Sequence, residues 1–163
     1  MHDPSYLLAE ALGASLNALN LRLALAESCT GGGIAKAITD VPGSSAWFDR
    51  GFVTYSNDAK IDMLGVKPET LARVGAVSEE AALEMVAGAL THSLADWALA
   101  VTGIAGPDGG TPAKPVGTVF IAWQMRGASG VCWKKQFSGD RHSIRQQATL
   151  FCLLQLLQMR ENP

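Results

Sequence analysis

Residues 26–33 read Ala26-Glu27-Ser28-Cys29-Thr30-Gly31-Gly32-Gly33, with a short apolar run before them at 21–26 and an apolar-periodic segment after them from Ile34. That order predicts a strand, a tight turn and a helix. A serine on such a turn sits at the rim of a sheet, beside free backbone N–H groups. Those groups and the helix dipole favour negative charge, whether a bound phosphate or a developing oxyanion. The stretch thus combines a nucleophile candidate, Ser28, with an anion site. The plainer alternative is a glycine-rich βα turn that only reverses the chain, because short glycine motifs recur widely.

On either side of this turn the periodicity alternates between helix and strand. Leu8, Leu12, Leu16 and Leu19 recur at helical spacing across residues 4–19. Strand-prone residues at 51–55 precede a short helix at 57–64, and residues 68–73 form a further helical turn. Ser78 followed by Glu79 and Glu80 opens a helix running to about residue 93. Residues 97–102 form an apolar strand of the buried kind, and 103–115 a glycine- and proline-rich loop. Strands at 117–124 and 131–137 make a hairpin, after which Asp140 caps a helix reaching about residue 159. This pattern predicts an α/β fold: a three-layer α/β/α arrangement with a mixed β-sheet, in a single domain spanning residues 1–163.

The chain has 163 residues, of which 48% are hydrophobic and 17% charged, enough apolar surface for one core. A net charge of −2 argues against an extended nucleic-acid surface. The apolar runs are too short for a membrane span, and residues 1–4 do not begin a secretory signal. Three cysteines, Cys29, Cys132 and Cys152, lack metal-ligand spacing, so a reduced, cytoplasmic setting without bound metal is expected.

Three further segments carry candidate chemistry. Thr102-Gly103-Ile104-Ala105-Gly106-Pro107-Asp108-Gly109-Gly110 also follows an apolar strand. Two glycine-rich loops at strand ends suggest a shared ligand crevice; the alternative is a mobile crossover loop. In Gly51-Phe52-Val53-Thr54-Tyr55-Ser56-Asn57-Asp58-Ala59-Lys60, Tyr55 and Lys60 can reach the same rim. A serine nucleophile needs a base, and His2, His92 and His142 are poorly placed for it. A lysine serves when desolvation lowers its pKa, with Tyr55 as a possible relay; otherwise Lys60 is an ordinary solvated helix lysine. Arg141 and Arg145 are four apart, on one helix face suited to phosphate, or else to plain exposure. Cys29 is a rival nucleophile whose ordinary fate is a small buried hydrophobe. Glu27 either orders the serine turn or simply ends a strand.

Taken in order, these segments resemble the CinA C-terminal domain family. The matching motifs are Ala26-Glu27-Ser28-Cys29-Thr30-Gly31-Gly32, Pro42-Gly43-Ser44-Ser45-Ala46-Trp47-Phe48, Gly51-Phe52-Val53-Thr54-Tyr55-Ser56-Asn57 and Ala59-Lys60. Gly75-Ala76-Val77-Ser78, Thr102-Gly103-Ile104-Ala105-Gly106-Pro107, Lys114-Pro115-Val116-Gly117-Thr118-Val119 and Phe137-Ser138-Gly139-Asp140-Arg141 continue the match over about residues 5–160. Gly33, a third glycine after the usual pair, is the one departure noted.

The resemblance implies hydrolysis of the carboxamide of nicotinamide mononucleotide to nicotinic acid mononucleotide and ammonia, within NAD recycling. It places the family's nucleophilic serine on Ser28, and its tyrosine and lysine on Tyr55 and Lys60. It implies a small nucleotide substrate, no cofactor, no metal and a homo-oligomer, with aromatics such as Trp47 and Phe48 as interface candidates. Larger relatives carry an N-terminal nucleotide-pyrophosphatase domain that this sequence does not contain. The expected mechanism is acyl transfer: Lys60, directly or through Tyr55, takes the Ser28 proton, and N–H groups at Thr30, Gly31 and Gly32 hold the oxyanion. Thr102, the Gly103 to Gly110 loop with Gly106, Ser44, Ser45, Arg141 and Arg145 are the candidates for substrate and phosphate binding. The competing expectation is a non-catalytic nucleotide- or partner-binding module of the competence/damage-inducible type, which needs the glycine loops but not Ser28 and Lys60 together.

Overall fold

The structure, a computed structural model, describes residues 2–159. Its elements are α1 (Pro4–Ala18), β1 (Leu23–Glu27), α2 (Gly33–Thr39), β2 (Phe48–Val53), α3 (Asn57–Leu64), α4 (Pro68–Val74), α5 (Glu79–Thr91), β3 (Trp97–Gly103), β4 (Thr118–Met125), β5 (Val131–Gln136) and α6 (Arg141–Met159). The five strands form one mixed sheet in the order β2-β1-β3-β4-β5. β1 pairs in parallel with β2 and β3, whereas β3, β4 and β5 are antiparallel neighbours. Two-sided burial of β1 and β3 explains their unbroken apolar character.

The two faces of the sheet differ in side-chain size. Leu23, Leu25, Trp97, Leu99, Val101, Ile121 and Trp123 point into one core with buried residues of α1, α2 and α6. Their alternating partners Ala24, Ala26, Ala98, Ala100 and Ala122 form a shallow floor on the other face. α5 packs on that floor through Ala82, Met85, Val86 and Ala89, where the alanines leave room for its backbone to come close. Helices on both faces give the expected three layers. No described helix is long and apolar enough to cross a membrane.

Two local expectations change. β2 begins at Phe48, pairs with Leu23, and ends at Val53, rather than spanning residues 51–55. Pairing with β1 decides its extent, and Tyr55 falls in the connection to α3. The second change concerns residues 44–48. The single 3₁₀ turn Ser44–Ala46 leads into β2, and the Trp47 carbonyl accepts a hydrogen bond from Leu23 N–H at 2.8 Å. Ser44 and Ser45 therefore sit at the N-terminal edge of the parallel strands, the edge opposite the serine turn, and do not reach the crevice. Trp47 is no surface aromatic: it is 3% exposed, and its indole occupies the space over Gly13 of α1.

Candidate active site

Ser28 follows the last residue of β1, and its main-chain N–H donates to Val101 of β3 at 3.0 Å, so the sheet itself fixes the start of the turn. Glu27 fixes the rest. Its buried carboxylate accepts hydrogen bonds from the Thr30 hydroxyl at 2.6 Å, Ile34 N–H at 3.0 Å and Ala35 N–H at 2.9 Å. A side-chain carboxylate thus caps α2 from the strand before it, where the helix dipole favours negative charge. Gly31 and Gly32, with φ of 59° and 95°, supply the left-handed backbone that the turn requires. Gly33 opens α2, and a methyl group there would press to 3.1 Å from the Thr149 hydroxyl of α6.

Lys60 arrives from the other side. Ser56 caps α3, its hydroxyl accepting from Ala59 N–H at 3.0 Å, which places Lys60 at the end of the first helical turn. Side chains on a helix lean toward its N-terminus. The Lys60 amine therefore reaches back to the connection it came from, donating to the carbonyls of Thr54 at 2.7 Å and Tyr55 at 3.2 Å. Its third contact is Ser28 Oγ at 2.9 Å. Lys60 is only 1% exposed, and burial pulls its pKa below the ordinary lysine value of 10.5. Among the described residues, no carboxylate forms an ion pair with it.

These residues floor a cavity of about 290 Å³ at the C-terminal edge of the parallel strands. Thr102, Gly103, Gly106, Tyr55 and Arg141 line it as well. Thr102 is held by a 2.9 Å hydrogen bond to the Ala76 carbonyl. Tyr55 is 61% exposed at the mouth, where its hydroxyl accepts from Arg141 Nη2 at 3.0 Å. Arg141 Nη1 donates to the Gly106 carbonyl at 2.8 Å, bridging the glycine loop and Tyr55. The Tyr55 hydroxyl is thus engaged with Arg141, while its main-chain carbonyl is the part that touches Lys60.

Arg145, one turn further along α6, lies behind the serine turn. It donates from Nε to the Cys29 carbonyl at 3.0 Å and from Nη2 to the Thr30 carbonyl at 3.3 Å. It lines a second cavity between α1, α2 and α6 rather than the first. Thr30, Gly31 and Gly32 are likewise absent from the lining of the first cavity, and Gly31 N–H is occupied by the Ser28 carbonyl at 3.0 Å. The Gly31 amide, one of the three expected to hold an oxyanion, is thus already engaged within the turn. The α2 N-terminus offers no open anion site either, because Glu27 already caps it.

Cys29 lines the cavity too, but burial pushes its thiol up to about 12, so it stays protonated at neutral pH, and among the described residues no side chain contacts it as Lys60 contacts Ser28. Among the described residues, no three metal-ligating side chains cluster. Sequence reasoning passed over Asn57, Ala76 and Val77 as lining residues, whereas Asp108 and Gly109 belong to the 103–110 loop it held as a binding candidate. The runs 51–57 and 75–78 contain the three that were missed, and that was the available signal.

Across residues 6–160 the sequence matches the model of the CinA C-terminal domain. The chain belongs to the CinA C-terminal domain family. It is 54% identical over 151 residues to the nicotinamide-nucleotide amidohydrolase PncC of Escherichia coli (strain K12), covering 93% of this chain and 92% of that protein. To the Pseudomonas putida protein of the same name it is 53% identical over 157 residues, covering 96% and 98%. Among solved structures, the competence/damage inducible protein CihA from Agrobacterium tumefaciens superposes with a TM-score of 0.93 at 46% identity, covering 97% and 96% of the two chains.

Proposed function

We propose that this chain is a nicotinamide-nucleotide amidohydrolase, converting nicotinamide mononucleotide and water to nicotinic acid mononucleotide and ammonia. Its near full-length similarity to proteins of that name supports the substrate. The chemistry rests on one observation: a buried lysine amine 2.9 Å from Ser28 Oγ, without a carboxylate partner.

A neutral amine has two N–H donors and one lone pair. The carbonyls of Thr54 and Tyr55 take the two donors, which leaves the lone pair for the Ser28 hydroxyl. Lys60 then accepts the Ser28 proton directly as Oγ attacks the carboxamide carbon. The tetrahedral intermediate collapses with cleavage of the C–N bond, and Lys60 returns the proton to the departing ammonia. Lys60 next deprotonates a water that attacks the acyl-serine ester, releasing the acid and restoring Ser28. Ala105 and Gly106 line the cavity, and their N–H groups make no hydrogen bond among the described residues. They are the amides we assign to the oxyanion. Arg141 at the mouth is the phosphate anchor. The product returns a by-product of NAD consumption to NAD synthesis, and no step uses a cofactor.

The test is ammonia release from nicotinamide mononucleotide, nicotinamide riboside and nicotinamide, by the wild-type chain and by Ser28→Ala. Release is expected only from the wild type and best from the mononucleotide, with a loss of roughly 10³-fold or more in the variant. Near-normal turnover by Ser28→Ala removes the nucleophile; no release from any substrate by the wild type removes the reading itself.

A further inference from the structure

Asp108 is the only carboxylate among the residues lining the catalytic cavity. It is exposed at the mouth and makes no hydrogen bond or ion pair with another described residue. Its loop is well tied. Arg141 holds the Gly106 carbonyl at 2.8 Å, Gly117 N–H donates to the Ile104 carbonyl at 2.7 Å, and Lys114 Nζ donates to the Val74 carbonyl at 2.9 Å. The chain that bears Asp108 is therefore anchored on both sides of it. At the mouth of a site for a purely anionic ligand, such a group would repel what the site must bind. Arg141 lines the same cavity, so the entrance carries one fixed charge of each sign.

We propose that Asp108 recognises the positively charged pyridinium ring of the substrate, while Arg141 takes its phosphate. This rests on the amidase reading above and gives it a specificity determinant. The substrate is a zwitterion: an N-glycosylated pyridinium cation at one end, a phosphate at the other. With the carboxamide at Ser28 on the cavity floor, the ring and its charge lie between floor and mouth, below the ribose. Asp108 faces that column from the loop side. It takes no part in bond making. Its contribution is electrostatic and partly screened by solvent, so it discriminates between cationic and neutral rings of the same shape.

Ser28→Ala protein keeps the amide intact and permits equilibrium titration. Calorimetric titration compares nicotinamide mononucleotide with the matching C-nucleotide, in which the ring joins ribose through carbon and the pyridine is neutral. Both ligands are measured with and without Asp108→Asn. Asp108→Asn is expected to weaken the cationic mononucleotide about 5-fold, as a solvent-screened charge pair allows. The neutral C-nucleotide should change less than about 2-fold. Equal weakening of both ligands overturns the proposal, because Asp108 then acts on the ribose or on the loop. No change in either ligand, or no binding of the mononucleotide at all, overturns it too. The wild-type ammonia assay decides the amidase reading separately.

Discussion

Replacing Glu27 by glutamine keeps the size of the side chain and removes its charge and its ability to accept at both ends. Each carboxylate oxygen receives a backbone N–H, Ile34 on one and Ala35 on the other, and the first also receives the Thr30 hydroxyl. Whichever way an amide is turned, its NH₂ meets one of those N–H groups donor to donor. A buried donor left without an acceptor costs about 1–3 kcal/mol. Loss of the charged acceptor at the helix N-terminus adds about 0.5–1 kcal/mol, and relief from burying a charge offsets part of it. A net destabilisation of about 2 kcal/mol is expected, which for a domain of this size lowers Tm by about 4–8 °C. α2 has only seven residues and does not hold itself together without its cap. The serine turn should therefore loosen, and kcat should fall while KM changes little, because Glu27 lies outside the cavity lining. The assay pairs thermal unfolding with steady-state ammonia release. Thr30→Val, which removes only the hydroxyl, is the milder control, expected near 1 kcal/mol. A Tm for Glu27→Gln within 1 °C of wild type, with unchanged kcat, would refute the view that this carboxylate builds the turn.

Two other outcomes follow from the same geometry. Tyr55→Phe deletes the hydroxyl that accepts from Arg141 but leaves the carbonyl that holds Lys60. KM should rise about 3–10-fold with kcat nearly unchanged, the value of one exposed hydrogen bond; a thousandfold fall in kcat would instead put the hydroxyl in the proton path. The proposed base Lys60 works only when neutral, and burial lowers its pKa below 10.5, so kcat/KM should level off before 10.5 is reached. A rise that continues through pH 10.5 contradicts this. Stability carries the same signature. Between the lowered Lys60 value and 10.5, the unfolded chain binds the proton that the folded chain has released, so this residue makes folding more favourable as pH rises. The thiols of Cys29 and Cys132, pushed up to about 12, act in the opposite sense above 9.0. Comparing wild type with Lys60→Met isolates the lysine, and identical pH dependence of Tm in the two would count against a depressed pKa.

The serine turn and the layer order were readable because each depends on a short stretch: an apolar run, a capping acid, two glycines, a new helical period. What lay beyond reading depends on distant pairing. Lys60 meets Ser28 only because β2 aligns with β1 and α3 starts at Ser56, and no local pattern in residues 57–64 distinguishes this lysine from a solvated one. Tyr55 shows a different limit. Sequence reasoning weighed its hydroxyl, whereas its main-chain carbonyl makes the contact with Lys60, an atom that every residue type carries. Arg141 and Arg145 share a helix face, yet one turn of rise, about 5.4 Å, suffices to put them on opposite sides of the serine turn. Ser44 and Ser45 are polar and glycine-flanked like a binding loop. Only the direction of β2 reveals that they lie at the wrong end.

The reversal of strand direction after β3 has a consequence for how such a site can diversify. Ser28 and Lys60 hang from β1, β2 and α3, on the parallel side of the sheet. The segment bearing Gly106, Asp108 and Gly109 returns straight into antiparallel β4, with no crossover helix to bury it. Lengthening, shortening or recharging residues 107–113 leaves the strand register and the contact of Lys60 with Ser28 where they are. Under the proposed mechanism, the Ser28–Lys60 pair and the charge at the mouth are thereby inherited on separate pieces of chain, with the amides of Ala105 and Gly106 kept on the constant side, and exchange of residues 107–113 becomes the natural route to a changed ligand preference.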